Sequence, residues 1–539
     1  MGRGRSAQGL HSYVSFCLLS FWRPVECNGS HDPTPLRGAG RPFSAIRFEY
    51  VPEGLTIMSY LRAAERDAIE QEASGLNAGG QAAALRSSER ALATLFPLPF
   101  TPFEFCFLTE MRPGFEGIIS IELQAHGPLD HELLDAAYAL AHARHALLSA
   151  RVEYDAKGWP QWVVGQPPSI QYSDRLDERP PAELWTSTPL RVSHLQARQE
   201  GNTTEFLFAF RHVAVDGLGA FQFIADLFIA YAHLCDGAPG APPWRRVDPE
   251  RLKDRDEHQL FNRRVKPKDF YRMAKVHLPL SMRQASVVSD ERKVDENTPQ
   301  TSNQLTPSLP TDFLVEHLTG EETAALSRVA AKHSVMLNDL LVRDYLLMLA
   351  DWNRGTKQAR GPLRILIPTN MRRRQDIRMP AANVFSYAFL TRYAADCQDP
   401  ARLLQSIHRE MASIKREKRG LYYEAALRWF CLWPAFLRWS LNRKWAFATA
   451  VFTNLGTTFE QVPIPTRDGY KVAGDLVFES GAGAGPIRPE TRISFSAHGY
   501  GGRLAICAIC DSLVLTPAQQ RALLRNYTDK LRATIAQEI

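Results

Sequence analysis

Among fifteen histidines, His212 sits in the setting best suited to chemistry. It follows the alternating apolar run Phe206, Phe208, Phe210 and comes four residues before Asp216-Gly217. The alternation reads as a strand, and Leu218, Phe221, Ile224, Leu227, Phe228 and Tyr231 then repeat at helical spacing. A histidine at the mouth of a strand-to-helix turn is held by its neighbours and still reaches a cleft. Its ordinary pKa lies near neutrality, which suits a general base. Asp216 is expected to turn away from the ring and fix the loop. Gly217 is expected to supply a backbone conformation closed to other residues. The plainer alternative is a strand-end histidine bonded to backbone, with Asp216 as a helix N-cap.

The elements that must hold this turn are legible from pattern. From Pro97 to about Leu280 strands and helices alternate: strand at 117–124, helix at 129–147, strands at 150–154, 190–195 and 205–210. The polar stretch 285–311, with Pro299, Pro307 and Pro310, reads as a linker. Beyond it Thr319-Gly-Glu-Glu322 is a capping box opening a helix, and 336–351 is an almost wholly apolar one. Strands follow at 363–368 and 384–393. Asp399-Pro400 starts a helix with Leu403, Leu404, Ile407, Met411 and Ile414 on one face. A hairpin joins 492–498 to 503–510, and Thr516-Pro517 caps a final helix facing inward through Leu523, Leu524, Tyr527, Leu531 and Ile535.

Composition fits a large globular protein of 539 residues. A net charge of +6 is mild for this length and does not point to nucleic acid. No run of about 18 consecutive apolar residues suggests a spanning helix. The eight cysteines form no framework; Cys507-Ala-Ile-Cys510 lies in an apolar strand without a second ligand pair and reads as packing. A reduced, cytoplasmic protein is the default expectation. Residues 1–57 read as a disordered leader, with Met58 an alternative start, and 58–94 as a helical and flexible lead-in.

Several ordered segments resemble one family. Arg211-His212-Val-Ala-Val-Asp216-Gly217 is similar to the His-His-x-x-x-Asp-Gly signature of the chloramphenicol-acetyltransferase-like superfamily, which includes condensation domains, wax ester synthases and polyketide-associated acyltransferases. Leu98-Pro-Phe-Thr101-Pro102, Leu129-Asp-His-Glu-Leu-Leu, Ala143-Arg144-His145, Leu337-Asn338-Asp339, Ile367-Pro368-Thr-Asn370-Met-Arg372, Asn383-Val-Phe-Ser386 and Thr453-Asn454-Leu-Gly456 follow in the family's order, across roughly residues 95 to 535. Arg211 replaces the first histidine of the pair, while His212 matches the catalytic second one. The Asp-Phe-Gly-Trp-Gly signature of the plant branch is absent, which excludes that branch.

The resemblance implies an α/β fold of two similar lobes, each a mixed sheet with helices, meeting at a central tunnel. The lobes would be 95–284 and 312–539. It implies that His212 removes a proton from a hydroxyl or amine, which attacks an acyl thioester of coenzyme A or phosphopantetheine, with no metal and no bound cofactor. It also implies that Asp216 faces away from substrate and pairs with an Arg of the other lobe, here Arg372. Thr453 and Asn454 are candidates to donate to the oxyanion. Asn383 and Ser386 are candidates to face the channel, a structural hydrogen bond being the competing role for Asn383.

Two further features are open. The basic clusters 372–374 and 415–419 suit either coenzyme A phosphates or an acidic carrier protein, or are simply solvated. The segment 427–448 mixes Trp429, Trp433, Trp439 and Trp445 with Arg428, Arg438, Arg443 and Lys444. It suits a helix lining a greasy acyl tunnel, which we prefer, or a peripheral membrane contact. The sequence thus points to a monomeric, stand-alone acyltransferase with a thioester donor and an alcohol or amine acceptor. An amide-forming condensation enzyme acting on carrier-bound partners and a non-catalytic lipid or protein binder are the rivals.

Overall fold

A computed structural model describes residues 94–185, 190–256, 266–291, 309, 311–457 and 459–538. Contacts divide the chain into Met1–Glu53 and Gly54–Ile539, and every described residue belongs to the second unit. The expected leader, nearly all of the lead-in and most of the linker lie outside the described residues.

The first half supplies β1 (Leu98–Pro99), α1 (Pro102–Glu110), β2 (Ile118–His126), α2 (His131–Arg144), β3 (Arg151–Tyr154), β4 (Pro160–Val163), β5 (Gln171–Ser173), β6 (Ser193–Glu200), β7 (Thr203–Arg211), α3 (Gly217–Cys235) and α4 (Pro267–Met282). The second begins with β8 (Leu314–Leu318), α5 (Gly320–Lys332), α6 (Leu337–Asn353), β9 (Leu363–Asn370), β10 (Phe385–Arg392), α7 (Pro400–Glu417), α8 (Arg419–Cys431) and α9 (Pro434–Leu441). It ends with β11 (Ala450–Gly456), β12 (Thr466–Arg467), β13 (Tyr470–Ala473), β14 (Leu476–Ala484), β15 (Ile493–Tyr500), β16 (Arg503–Cys510) and α10 (Pro517–Glu538).

Local chemistry sets the boundaries. Thr101 and Glu104 form a reciprocal capping box on α1, with Pro102 at its first position. The buried Glu104 carboxylate is also held by Arg255, at 2.7 and 2.8 Å. The Thr319–Glu322 box and the Asp399 cap form as expected. Both residues of the β15–β16 turn, Gly501 and Gly502, have positive φ (57° and 73°), which fits a tight two-residue hairpin.

Two large sheets result. One runs β10-β9-β11-β15-β16-β8; the other runs β12-β13-β14-β2-β7-β6-β5. The second sheet crosses the sequence midpoint, because β14 pairs antiparallel with β2. The sequence halves are therefore not the boundaries of the sheets. One apolar core gathers Phe206, Phe208, Phe210 and α3; another gathers α6, α7 and α10 around the β10-β9-β11-β15-β16-β8 sheet. α3 is long and apolar enough to cross a membrane, yet most of it is buried, in the core that includes Phe206, Phe208 and Phe210 of β7. The strand expected at 190–195 begins at Ser193 and continues to Glu200. Its polar His194, Gln196 and Arg198 hid that continuation, because all three are buried.

Candidate active site

His212 lies just past β7, and its backbone N–H donates to Gly117 O at 2.7 Å, extending the sheet by one bond. The ring packs against Phe107 of α1 (centroids 4.6 Å, 16° between planes) and Phe385 of β10 (5.0 Å, 24°), which also meet each other at 6.1 Å. One wall thus comes from each half of the chain. Nδ1 is buried without a hydrogen-bond partner, while the residue keeps partial exposure. The Nε2 edge is therefore the one a substrate can reach. Burial pushes the ring pKa below its ordinary value, opposed by the Asp216 charge and by polar groups of its own backbone, Val215 and Asn383. A neutral ring at neutral pH is a competent base.

The loop carrying His212 is gripped from the opposite half. Arg372 Nη1 and Nη2 donate to Asp216 Oδ2 and Oδ1 at 2.7 and 2.9 Å, and both side chains are 6% exposed. Asp216 Oδ1 also accepts from Gly219 N at 2.8 Å, and Oδ2 from Val384 N at 2.8 Å. The helix cap and the inter-half clamp are thus one carboxylate. Arg372 Nη2 additionally reaches Ala382 O at 3.0 Å. Asn383 Nδ2 donates to the carbonyls of His212 (2.7 Å) and Val213 (2.9 Å), so its role at this site is to hold the loop. Its Oδ1 is buried and unpaired, as is His212 Nδ1.

The strip 381–384 is itself anchored. Ala381 N donates to His145 Nδ1 at 2.9 Å, so His145 Nε2 carries the hydrogen toward Asp226 Oδ2, 3.0 Å away. His145 is a fully buried bridge between the halves.

Gly217 departs from expectation. Its φ is not positive, and a Cβ there would meet only Leu455 Cδ2, at 3.2 Å. The strict requirement falls two residues on. A Cβ on Gly219 would lie 2.5 Å from Val215 Cγ2 and 3.1 Å from the backbone N and O of Ala382. Gly219 lets the helix start press against strip 381–384, and sequence reading missed it.

Strand alternation separates the two oxyanion candidates. Val451 and Leu455 pack into the core that contains Val213, whereas Phe452 packs into the other core. Thr453 therefore shares the face that leads to the His212 loop. Asn454 takes the opposite face, and its Oδ1 accepts from Gly456 N at 3.0 Å. Ser386 is fully buried, and its hydroxyl donates to Gly420 O at 2.8 Å, pinning the start of α8. That bond, not substrate contact, is where its hydroxyl goes.

No protein-family model and no curated protein matches the chain. Solved structures do. The first condensation domain of the calcium-dependent antibiotic synthetase, in complex with a substrate analogue, matches at TM-score 0.59 and 17% identity over 82% of this chain and 96% of that one. Polyketide synthase associated protein 5 from Mycobacterium tuberculosis matches at 0.56 and 15%, over 82% and 99%. The starter condensation domain of rhizomide synthetase, in complex with C8-CoA, matches at 0.56 and 14%, over 82% and 95%. The chain has the two-lobed condensation-domain fold.

Within this condensation-domain fold Arg211 does not intrude on the base. Its buried guanidinium donates to the carbonyls of Arg191 (3.1 Å), Glu116 (2.8 Å) and Trp185. Burial lowers its pKa to about 10, opposed by Glu116. It ties β7 to two neighbouring segments. The basic clusters divide: Arg372 is internal, Arg373 Nε faces Asp376 at 3.3 Å, and Arg419 Nε faces Glu417 at 3.0 Å. Cys507 and Cys510 pack into different apolar clusters, on opposite faces of β16. Among the described residues no group of three or more His, Cys, Asp or Glu side chains could hold a metal ion.

Proposed function

We propose that this chain is an acyltransferase, moving an acyl group from a coenzyme A or carrier-protein thioester to a hydroxyl or amine. The observation that carries the reading is His212 itself: a ring in contact with Phe107 of one half and Phe385 of the other, with one nitrogen sequestered and the other edge reachable.

In this mechanism the acceptor O–H or N–H gives its proton to His212 Nε2 as its heteroatom bonds to the thioester carbon. Thr453, on the face toward the loop, donates to the oxygen that becomes negative. The tetrahedral centre then collapses, the C–S bond breaks, and the imidazolium returns the proton to the departing thiolate. Asp216 takes no proton; its carboxylate is committed to Arg372, Gly219 and Val384. Arg372 and Asn383 act through the loop as positioning residues.

Purified protein incubated with acyl-coenzyme A donors of graded length and mixed alcohols and amines should release free thiol, read with a thiol-reactive dye. Release only from carrier-loaded donors would favour the amide-forming condensation reading. No release from either donor type, with any acceptor, would remove the enzyme reading in favour of a binding protein.

A further inference from the structure

Eight of the fifteen large apolar side chains exposed among the described residues lie on α4 and on the turn into and along α9. Helix α4 is apolar on two sides. Met273 and Val276 pack against Tyr422 and Ala425, and Leu280 is buried. On a separate stripe Phe270, Tyr271, Leu278 and Met282 are exposed, Tyr271 by 71%. A helix that needed only to cover the protein would not repeat its apolar pattern on the outside. Exposed Lys268, Arg272 and Lys275 border that stripe, and the only acid of the helix, Asp269, is buried. Around α9 the same chemistry recurs: Leu432, Trp433, Phe436 and Trp439 are exposed beside Arg438, Arg443 and Lys444. No Asp or Glu occurs from Ala425 to Phe459.

The two patches are joined. Trp445 Nε1 donates to Leu280 O at the end of α4, at 3.1 Å. The Arg443 guanidinium lies over both Trp445 (5.2 Å) and Trp439 (4.9 Å), and Trp439 meets the Phe436 ring at 5.5 Å. Beneath this face is the site: α9 packs on α1, and α1 carries Phe107, which stacks on His212.

We propose that the α4–α9 face seats the protein on an anionic bilayer, with its tryptophans at the headgroup–acyl boundary and its cations on lipid phosphates. Aromatic rings with cations and no exposed acid match that boundary. A protein partner of ordinary mixed charge would meet cations alone. Lipid binding does not require the acyltransferase reading. If that reading holds, docking brings the α1 side of the His212 site toward the surface where a lipid-like substrate resides.

The test uses the full chain and sedimentation with phosphatidylcholine vesicles, with and without phosphatidylglycerol. Binding should be at least about tenfold stronger to the anionic vesicles, weaken with added salt, and shift tryptophan emission to the blue. Trp433→Ser with Trp439→Ser, and separately Arg443→Glu with Lys444→Glu, should each lower it by about tenfold or more at an unchanged melting temperature. The salt series on the unaltered protein stands even if a variant folds poorly. His212→Ala should bind vesicles like the unaltered chain, which keeps this result separate from the fate of the catalytic reading. Equal partition onto neutral and anionic vesicles, or no partition at all, overturns the proposal. So does concentration-dependent self-association abolished by the tryptophan substitutions, which would assign the face to a second copy.

Discussion

Arg372, from the second half of the chain, holds Asp216 through both carboxylate oxygens, at 2.7 and 2.9 Å. The pair is almost wholly buried, and each partner has further bonds: Gly219 N and Val384 N on the acid, Ala382 O on the base. Four donors on one carboxylate make the loop, the start of α3 and strip 381–384 a single rigid unit.

Arg372→Ala should therefore leave a buried charge unpaired and cost about 3–5 kcal/mol in chemical denaturation. Arg372→Lys keeps the charge but cannot span both oxygens, and should recover only part of the loss. Equal stability of the alanine variant and the native chain would mean that the clamp does not carry the loop.

The glycines offer a sharper contrast. Gly219→Ala must push Val215 or the Ala382 backbone aside and should cost about 1–3 kcal/mol, with a loss of turnover as the loop shifts. Gly217→Ala meets one flexible leucine at ordinary φ and should cost under about 1 kcal/mol, near the helix-favouring gain of alanine. Melting curves of the two variants in parallel decide the matter. The opposite order would restore the strained backbone first expected at Gly217.

For the oxyanion, Thr453→Val should cut turnover by about a hundredfold, the scale of one lost donor, while Asn454→Ala should leave it nearly unchanged. Steady-state rates at saturating donor distinguish them. Loss in Asn454→Ala alone would overturn the face assignment on β11.

Acid should destabilise the fold in part through His194. Burial lowers its pKa from 6.5 to about 4, helped by Arg191, and neither ring nitrogen has a hydrogen-bond partner. Below about pH 6.5 the unfolded chain takes up a proton that the folded ring refuses, so stability falls as pH drops toward 4. His194→Leu should flatten that slope by about 1.4 kcal/mol per pH unit, read from urea titrations at several pH values. An unchanged slope would mean that the folded ring does accept the proton.

Much of this architecture can be read in the chain because local rules and tertiary packing agree there. The Thr319 and Asp399 caps, the inward face of α10 and the glycine turn of β15–β16 each declare themselves within a few residues. The Asp216–Arg372 partnership was legible only through a family resemblance, since nothing local links positions so far apart. Gly219 was overlooked because its need is set by Val215 and Ala382, and close packing against a segment distant in sequence leaves no periodic trace. The same holds for Phe107 and Phe385. Each reads as an ordinary core aromatic until the two halves bring both rings against one imidazole. Ser386 sits inside a motif-like string, but its neighbour in space, Gly420, decides what its hydroxyl does.

The most direct measurement is single-variant kinetics at His212. His212→Ala should melt within a degree or two of the native chain, since the ring's neighbours are apolar faces and its Nδ1 bonds nothing. Its acceptor-dependent thiol release should fall by about a hundredfold or more, the usual scale for a lost general base. Near-native turnover in a folded His212→Ala protein would remove His212 as the base and with it the proposed mechanism.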